Sequence, residues 1–482
     1  QTIPTAAISK VRLTITPNTN PPSITVQPQG QTLLEGGTIA ISVGAAGLAP
    51  LRYQWQFNVV DIPNATNESL VIVPASTNDS GAYRVIVTNA LGSITSAVAQ
   101  VTVRPLVRSA ALTPLWSVPP GSRYYLTTDN AQRGLAYNPA TGDLLIPSRS
   151  PTNSIHVLSS VDGIDLFELK MDPAVLTGGT AGFAINMIGV SDDGTIYVCN
   201  LAQNAELFRI YRWSSEDTDT VPSVAFSAAA SSLGAVRFGD TFDVRGSANE
   251  IQIIAASRNS NVVVIFTTTD NGVSLLPNTI VVPGAPNSAF GLGVSFDGPD
   301  TFWGKGDSST TLRKVQFELG TGIATVLQTY GASNYPPGAT VIGVEHNLNV
   351  LAAFSVENPD NLRLYDISDL AAGPRLVDQE LFPTDNDNIN GTGAIDYGEG
   401  KVFALDSNNG IMALQLGAIP PPAPGRITII RDGGSVRLTW SGAYTLQAAT
   451  LVTGPYEDVV GATSGYTETT DTAPQKFFRL RN

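Results

Sequence analysis

Few residues in this chain are equipped for chemistry, and their spacing decides what they could do. There are two histidines, His156 and His346, and neither has a second histidine two or four residues away. A zinc site from local ligands is therefore not expected. Glu345 and His346 are adjacent, and Asp243, Glu345 and Asp396 stand at comparable points of a repeating pattern. The run Asp385-Asn386-Asp387-Asn388-Ile389-Asn390-Gly391 alternates oxygen-bearing side chains and ends in glycine. That is the chemistry of a calcium loop, with Asp385, Asp387 and Asn390 as ligands, although Ile389 falls where an oxygen belongs. The same composition also suits a solvated loop rich in Asn and Asp turns. Glu216-Asp217-Thr218-Asp219 reads as a solvated turn. The chain has no Gly-x-Ser-x-Gly elbow, no phosphate-binding Gly-Lys-Ser/Thr loop and no dinucleotide fingerprint.

The elements that must position these residues repeat along the chain. Short apolar runs containing a small residue fall near positions 136, 189, 242, 293, 343 and 394, at steps of 53, 53, 51, 50 and 51. Each is followed by a turn and further β-rich runs, such as Asp192-Asp193-Gly194 before Thr195-Ile196-Tyr197-Val198. One four-stranded sheet per repeat cannot cover both its faces, and six stacked about an axis can. The pattern predicts a six-bladed β-propeller over 105–418. The last unit, ending at Leu416, is one outer strand short. The run from Ala111 to Val118 is expected to supply it and close the ring.

Bulk composition narrows the class. The chain has 482 residues, 45 Gly, 32 Pro and only 14% charged residues, which favours a turn-rich, all-β, multidomain protein. Its net charge of −14 argues against nucleic acid and anionic membrane as partners. No run of eighteen apolar residues is present to span a membrane. The single cysteine, Cys199, lies in a strand-like run and reads as a buried small hydrophobe. A start at Gln1, with no Met and no apolar leader, is expected of a secreted chain whose signal peptide has been removed, or of an arbitrary boundary.

Outside the ring three segments differ. Residues 1–22 form an extension in which Val11, Leu13 and Ile15 alternate with polar neighbours over 7–16, predicting a half-buried strand in need of an edge. Residues 23–104 carry Leu51-Arg52-Tyr53-Gln54-Trp55-Gln56, then Asn78-Asp79-Ser80-Gly81-Ala82-Tyr83. With these motifs the segment resembles an immunoglobulin-like domain of the intermediate type. The resemblance implies a buried Trp55, a Tyr83 corner, and Val43 and Val85 in place of the usual cysteines. After a Pro-rich linker at 419–424, residues 425–482 read as a small β-sandwich. Leu438 to Trp440, Tyr444 to Gln447, Gly454 to Tyr456 and Phe477 to Leu480 resemble C-terminal modules of large secreted proteins from Verrucomicrobia, Planctomycetes and related bacteria.

The run Asp193-Gly194-Thr195-Ile196-Tyr197-Val198 resembles the sugar-lactonase-like six-bladed propellers. That resemblance implies a divalent ion in the channel, for which Asp243, Glu345 and Asp396 are the candidate Ca2+ ligands. Three functions remain open. The leading one is a secreted, non-catalytic structural or adhesive surface protein. It would self-associate, or bind other surface proteins or glycans, with residues 7–16 adding to a neighbouring subunit's β-domain and building a filament. The strand could equally pair with its own immunoglobulin-like domain. The alternatives are a Ca2+-dependent hydrolase or lyase, and a glycan binder using Trp213, Trp303, Tyr330 and Tyr335 as stacking platforms.

Overall fold

The computed structural model describes residues 20–179, 182–307, 309–331, 339–385, 391–420, 427–432, 435–440, 444–469 and 475–481. The strand expected at 7–16, with Val11, Leu13 and Ile15, lies outside them, as do Asp387, Asn390 and Tyr335. Among the described residues every regular element is a strand or a short 3-10 turn, so the fold is all-β. The chain divides into two compact units, one made of Gln1–Leu106 with Glu357–Asp360 and Asp385–Asp387, the other holding the rest of the ring and the C-terminal module.

Six four-stranded antiparallel sheets make the ring. Five are contiguous in sequence, running from Ala136 to Glu168, Met187 to Ala229, Phe242 to Val281, Gly293 to Tyr330 and Ala339 to Leu381. The sixth joins Gly393–Gly398, Lys401–Asp406 and Gly410–Leu416 to Leu112–Val118 from much earlier in the chain. Leu112 lies opposite Leu416 and Val118 opposite Ile411, so the two ends of the ring are sewn into one sheet. Pro114 is tolerated there because an outermost strand has one edge with no ladder bonds to lose. The first strands of the six sheets neighbour one another in a closed cycle, the arrangement of a six-bladed propeller.

The repeating small residue has a steric cause. A methyl group added at Gly189 would sit 2.5 Å from Val244 Cγ2, and one at Gly343 would sit 2.8 Å from Ile395 Cγ2. At these two positions adjacent first strands crowd the axis, and the missing side chain lets them approach so closely. The middle strands are covered on both faces and so read as unbroken apolar runs. Val262–Thr267, for example, is buried through Phe266.

The N-terminal sandwich pairs Arg52–Phe57 with Gly81–Asn89, and Gly81–Asn89 with Ala99–Arg104. Gln31–Leu34 runs parallel to Ala99–Arg104. Ile39–Ser42 with Ser69–Ile72, and Ser23–Val26 with Gly44–Ala46, make up the opposing layer. Alternation puts Tyr83, Val85 and Val87 inward on one strand, around a wholly buried Trp55.

The C-terminal module has two three-stranded sheets. Ser435–Thr439 lies between Thr428–Asp432 and Tyr466–Thr469, and Thr445–Ala449 lies between Glu457–Asp458 and Phe477–Arg481. Its core is thin. Among its described residues the buried apolar side chains are Leu438, Leu446 and Ala449, while Ile429 and Ile430 are 59% and 52% exposed.

Candidate functional site

The ring's axis is lined by its first strands, which put Asp243, Glu345 and Asp396 on a shared cavity of about 910 Å3. Side chains on these strands reach sideways to the next sheet. Asp243 accepts from Phe296 N (2.7 Å) of the following sheet and from Val244 N (2.8 Å). Asp396 accepts from Tyr137 N (2.7 Å) of the sheet that follows it round the ring, and from Tyr397 N (2.8 Å). Ser295 Oγ takes Val344 N at 3.1 Å, and Thr241 Oγ1 takes Val294 N at 3.0 Å. First strands meet side by side without a continuous backbone ladder. These oxygens satisfy N–H groups that the ring would otherwise bury unpaired.

The electrostatics fit a structural role. Burial pushes the Asp396 carboxyl up to about 7; Asp243 and Glu345 push the same way, against the two N–H donors. Burial likewise raises Asp243. Since the folded value of Asp396 exceeds the unfolded one, its contribution to ring stability is complete below about pH 4 and declines as pH rises through 7. Glu345 accepts from Asn347 N (3.0 Å) and caps the 3-10 turn His346–Leu348. Asp385 accepts from Asp360 N at 3.1 Å. Among the described residues no group of three His, Cys, Asp or Glu side chains is assembled that could hold a metal ion. Glu345 and Asp396 share the cavity, and each Asp396 oxygen accepts one backbone N–H.

The remaining candidates are mostly interior. His156 is 3% exposed, stacks on Tyr125 at 3.5 Å and contacts Ser154 Oγ through Nε2 at 2.8 Å. Burial lowers its pKa and keeps it neutral. Burial pushes the Cys199 thiol up to about 12, so it is inert. Trp213, Trp303 and Tyr330 are buried, which removes them as sugar platforms. Their indole and phenol groups donate to Lys170 O, Asp297 and Leu370 O. Glu216 corrects the reading of a solvated turn. It is 6% exposed and accepts from Asn138 Nδ2 (2.6 Å) and Thr141 Oγ1 (2.9 Å) of the neighbouring sheet. No local motif marks it, because its partners lie more than seventy residues away.

One cluster had no sequence signal beyond a histidine. Asp297, 3% exposed, receives His346 Nδ1 (2.5 Å), Lys314 Nζ (2.6 Å) and Trp303 Nε1 (2.9 Å). Burial opposes its ionisation, but the Lys314 and His346 bonds hold the carboxyl below its ordinary range.

In the sandwich, Tyr83 Oη donates to Asp79 O at 2.9 Å. Asp79 in turn accepts from Ser76 N (2.7 Å) and Ser76 Oγ (2.8 Å), fixing the corner. Val43 and Val85 are 5% and 0% exposed beside Trp55. Apolar packing fills the place of a bridge.

Residues 21–89 match the immunoglobulin domain family. No curated protein matches the chain. Similar solved structures include a chimeric titin Z1Z2 carrying a decorin peptide, at 25% identity and TM-score 0.17, over 18% of this chain and 97% of that one. Tandem immunoglobulin repeats of Dlar match at 20% and 0.18, over 18% and 49%. The twitchin kinase region from C. elegans matches at 19% and 0.16, over 17% and 16%. Residues 21–89 form an immunoglobulin-like domain, and no helix among the described residues is long and apolar enough to cross a membrane.

Proposed function

We propose that this chain is an extracellular structural or adhesive protein of a bacterial cell surface, and that copies join by strand addition into a filament. In this reading residues 7–16 of one copy complete the C-terminal module of the next. The observation that carries it is the thin core of that module among its described residues. Ile429 and Ile430 are consecutive, so they point to opposite faces of Thr428–Asp432, and both are exposed. Neither face of this edge strand is covered among the described residues. An added strand bearing Val11, Leu13 and Ile15 supplies the missing ladder and extends the apolar surface on one face. The sandwich has a filled core around Trp55 among its described residues. A contact between unlike surfaces that does not close on itself propagates. The ring then acts as a rigid spacer, its axial Asp396 and Asp243 joining neighbouring sheets through backbone bonds.

The test is deletion of residues 1–20, followed by size-exclusion chromatography and negative-stain imaging. Loss of threads with retention of a folded monomer is expected. Unchanged assembly removes the strand as connector.

A further inference from the structure

The end of the ring where the first strands begin gathers arginines from segments far apart in sequence. Arg133 precedes Ala136–Tyr137, Arg149 follows Asp143–Ser148, Arg237 leads toward Phe242–Arg245, and Arg258 follows Gln252–Ala256. Backbone bonds fix their placement: Arg149 N donates to Ala131 O (3.3 Å) and Arg258 N to Arg237 O (3.2 Å). One carboxylate bonds to two of them. Asp240, its side chain 1% exposed, takes both Nε and a terminal nitrogen of Arg237 at 2.6 Å, and Arg133 at 3.3 Å. Arg149 is held by Asn186 Oδ1 and Asn130 O and lies over the Phe183 ring at 4.2 Å.

Charge and hydrogen bonding at this end are left unbalanced. Four arginines face Asp240, Asp129 and Asp307, a local excess of one positive charge in a chain of net charge −14. Arg133 Nε is buried and makes no hydrogen bond among the described residues. The half-buried Arg258 guanidinium makes no hydrogen bond among them, and its charge interacts with Asp307. The nearby Asp129 and Asp307 serve their own loops: Asp129 accepts from Thr127 Oγ1 and Ala131 N, and Asp307 from Ser309 N and Oγ. Burial lowers the pKa of both Arg133 and Arg149 and neighbouring arginines add to it, while Asp240, and for Arg149 also Asp129, act in the opposite direction. Guanidinium forks converging on one region match an oxyanion in shape and charge.

We propose that this end of the ring binds an oxyanion, a carboxylate, sulfate or phosphate group, through Arg133, Arg149, Arg237 and Arg258. The site is independent of strand addition, since it uses none of the residues of the C-terminal module. An anionic saccharide and a free inorganic ion share this chemistry, and the experiment separates them.

Isothermal titration of the full-length chain, in 0.15 M NaCl at matched ionic strength, is made with three probes: inorganic phosphate, inorganic sulfate and galacturonate. Saturable one-site binding of at least one is expected, and the probe that binds identifies the source. Arg258→Ala is expected to weaken it by roughly tenfold or more, and Arg258→Lys by less, because it keeps the charge and loses the fork. Arg52→Ala, in the immunoglobulin-like domain, is the control and is expected to leave affinity unchanged. Absence of saturable binding with all three probes overturns the proposal. So does an affinity that Arg258→Ala and Arg258→Lys leave at the value of Arg52→Ala.

Discussion

Trp55 of the N-terminal sandwich is wholly buried, whereas Trp440 of the C-terminal module is only half-buried, although each sits in or at the end of a short alternating strand. The difference lies in what surrounds them. Trp55 has Ile39, Val43, Val85 and Val101 around it from both layers, and its indole donates to Asn67 O. Among its described residues the C-terminal module buries the apolar Leu438, Leu446 and Ala449 and leaves Leu451, Val452 and Val460 in solvent. A module of fewer than sixty residues rarely closes a core unaided. Alternation in a sequence therefore announces a strand with an apolar face; it does not say whether the chain itself supplies the cover.

Four substitutions press on this contrast. Trp55→Ala has the largest expected effect, destabilising the sandwich by about 3–5 kcal/mol as a cavity opens in a filled core; amide exchange across Gly81–Asn89 reads it. Leu446→Ala is expected to cost about 2 kcal/mol, because a shallow core relaxes into the space; exchange at Thr445–Ala449 reads that. A larger loss at Leu446 than at Trp55 breaks the comparison. Tyr83→Phe removes the bond to Asp79 O and is expected to cost about 1 kcal/mol in denaturant unfolding of the sandwich. Ile430→Lys is expected to change the stability of the single subunit by less than about 0.5 kcal/mol, since the side chain is already exposed, and yet to abolish threads in negative-stain images. Threads that survive it show that this strand face is not the joint.

Much of the architecture was legible because it rests on local sterics. Gly189 and Gly343 mark the axis since nothing larger fits there, and an outer strand missing after Leu416 had to be found elsewhere, at Leu112–Val118. Trp55 and Tyr83 carry their own motif. The site was less legible. Asp396 and Asp243 were recognised as axial carboxylates, but their N–H partners, Tyr137 and Phe296, belong to other sheets and no spacing reveals them. Glu216 looked solvated because its run is acidic, and it is buried because Asn138 and Thr141 come to it. The arginines at 133, 149, 237 and 258 are invisible as a group until the ring closes.

The joint can be measured directly by titrating a synthetic peptide of residues 5–18 into the chain lacking residues 1–20 while following amide exchange. The account predicts saturable binding with slowed exchange at Thr428–Asp432 and no change in the sandwich. Protection appearing instead on the sandwich strands, or no binding to a folded chain, contradicts it.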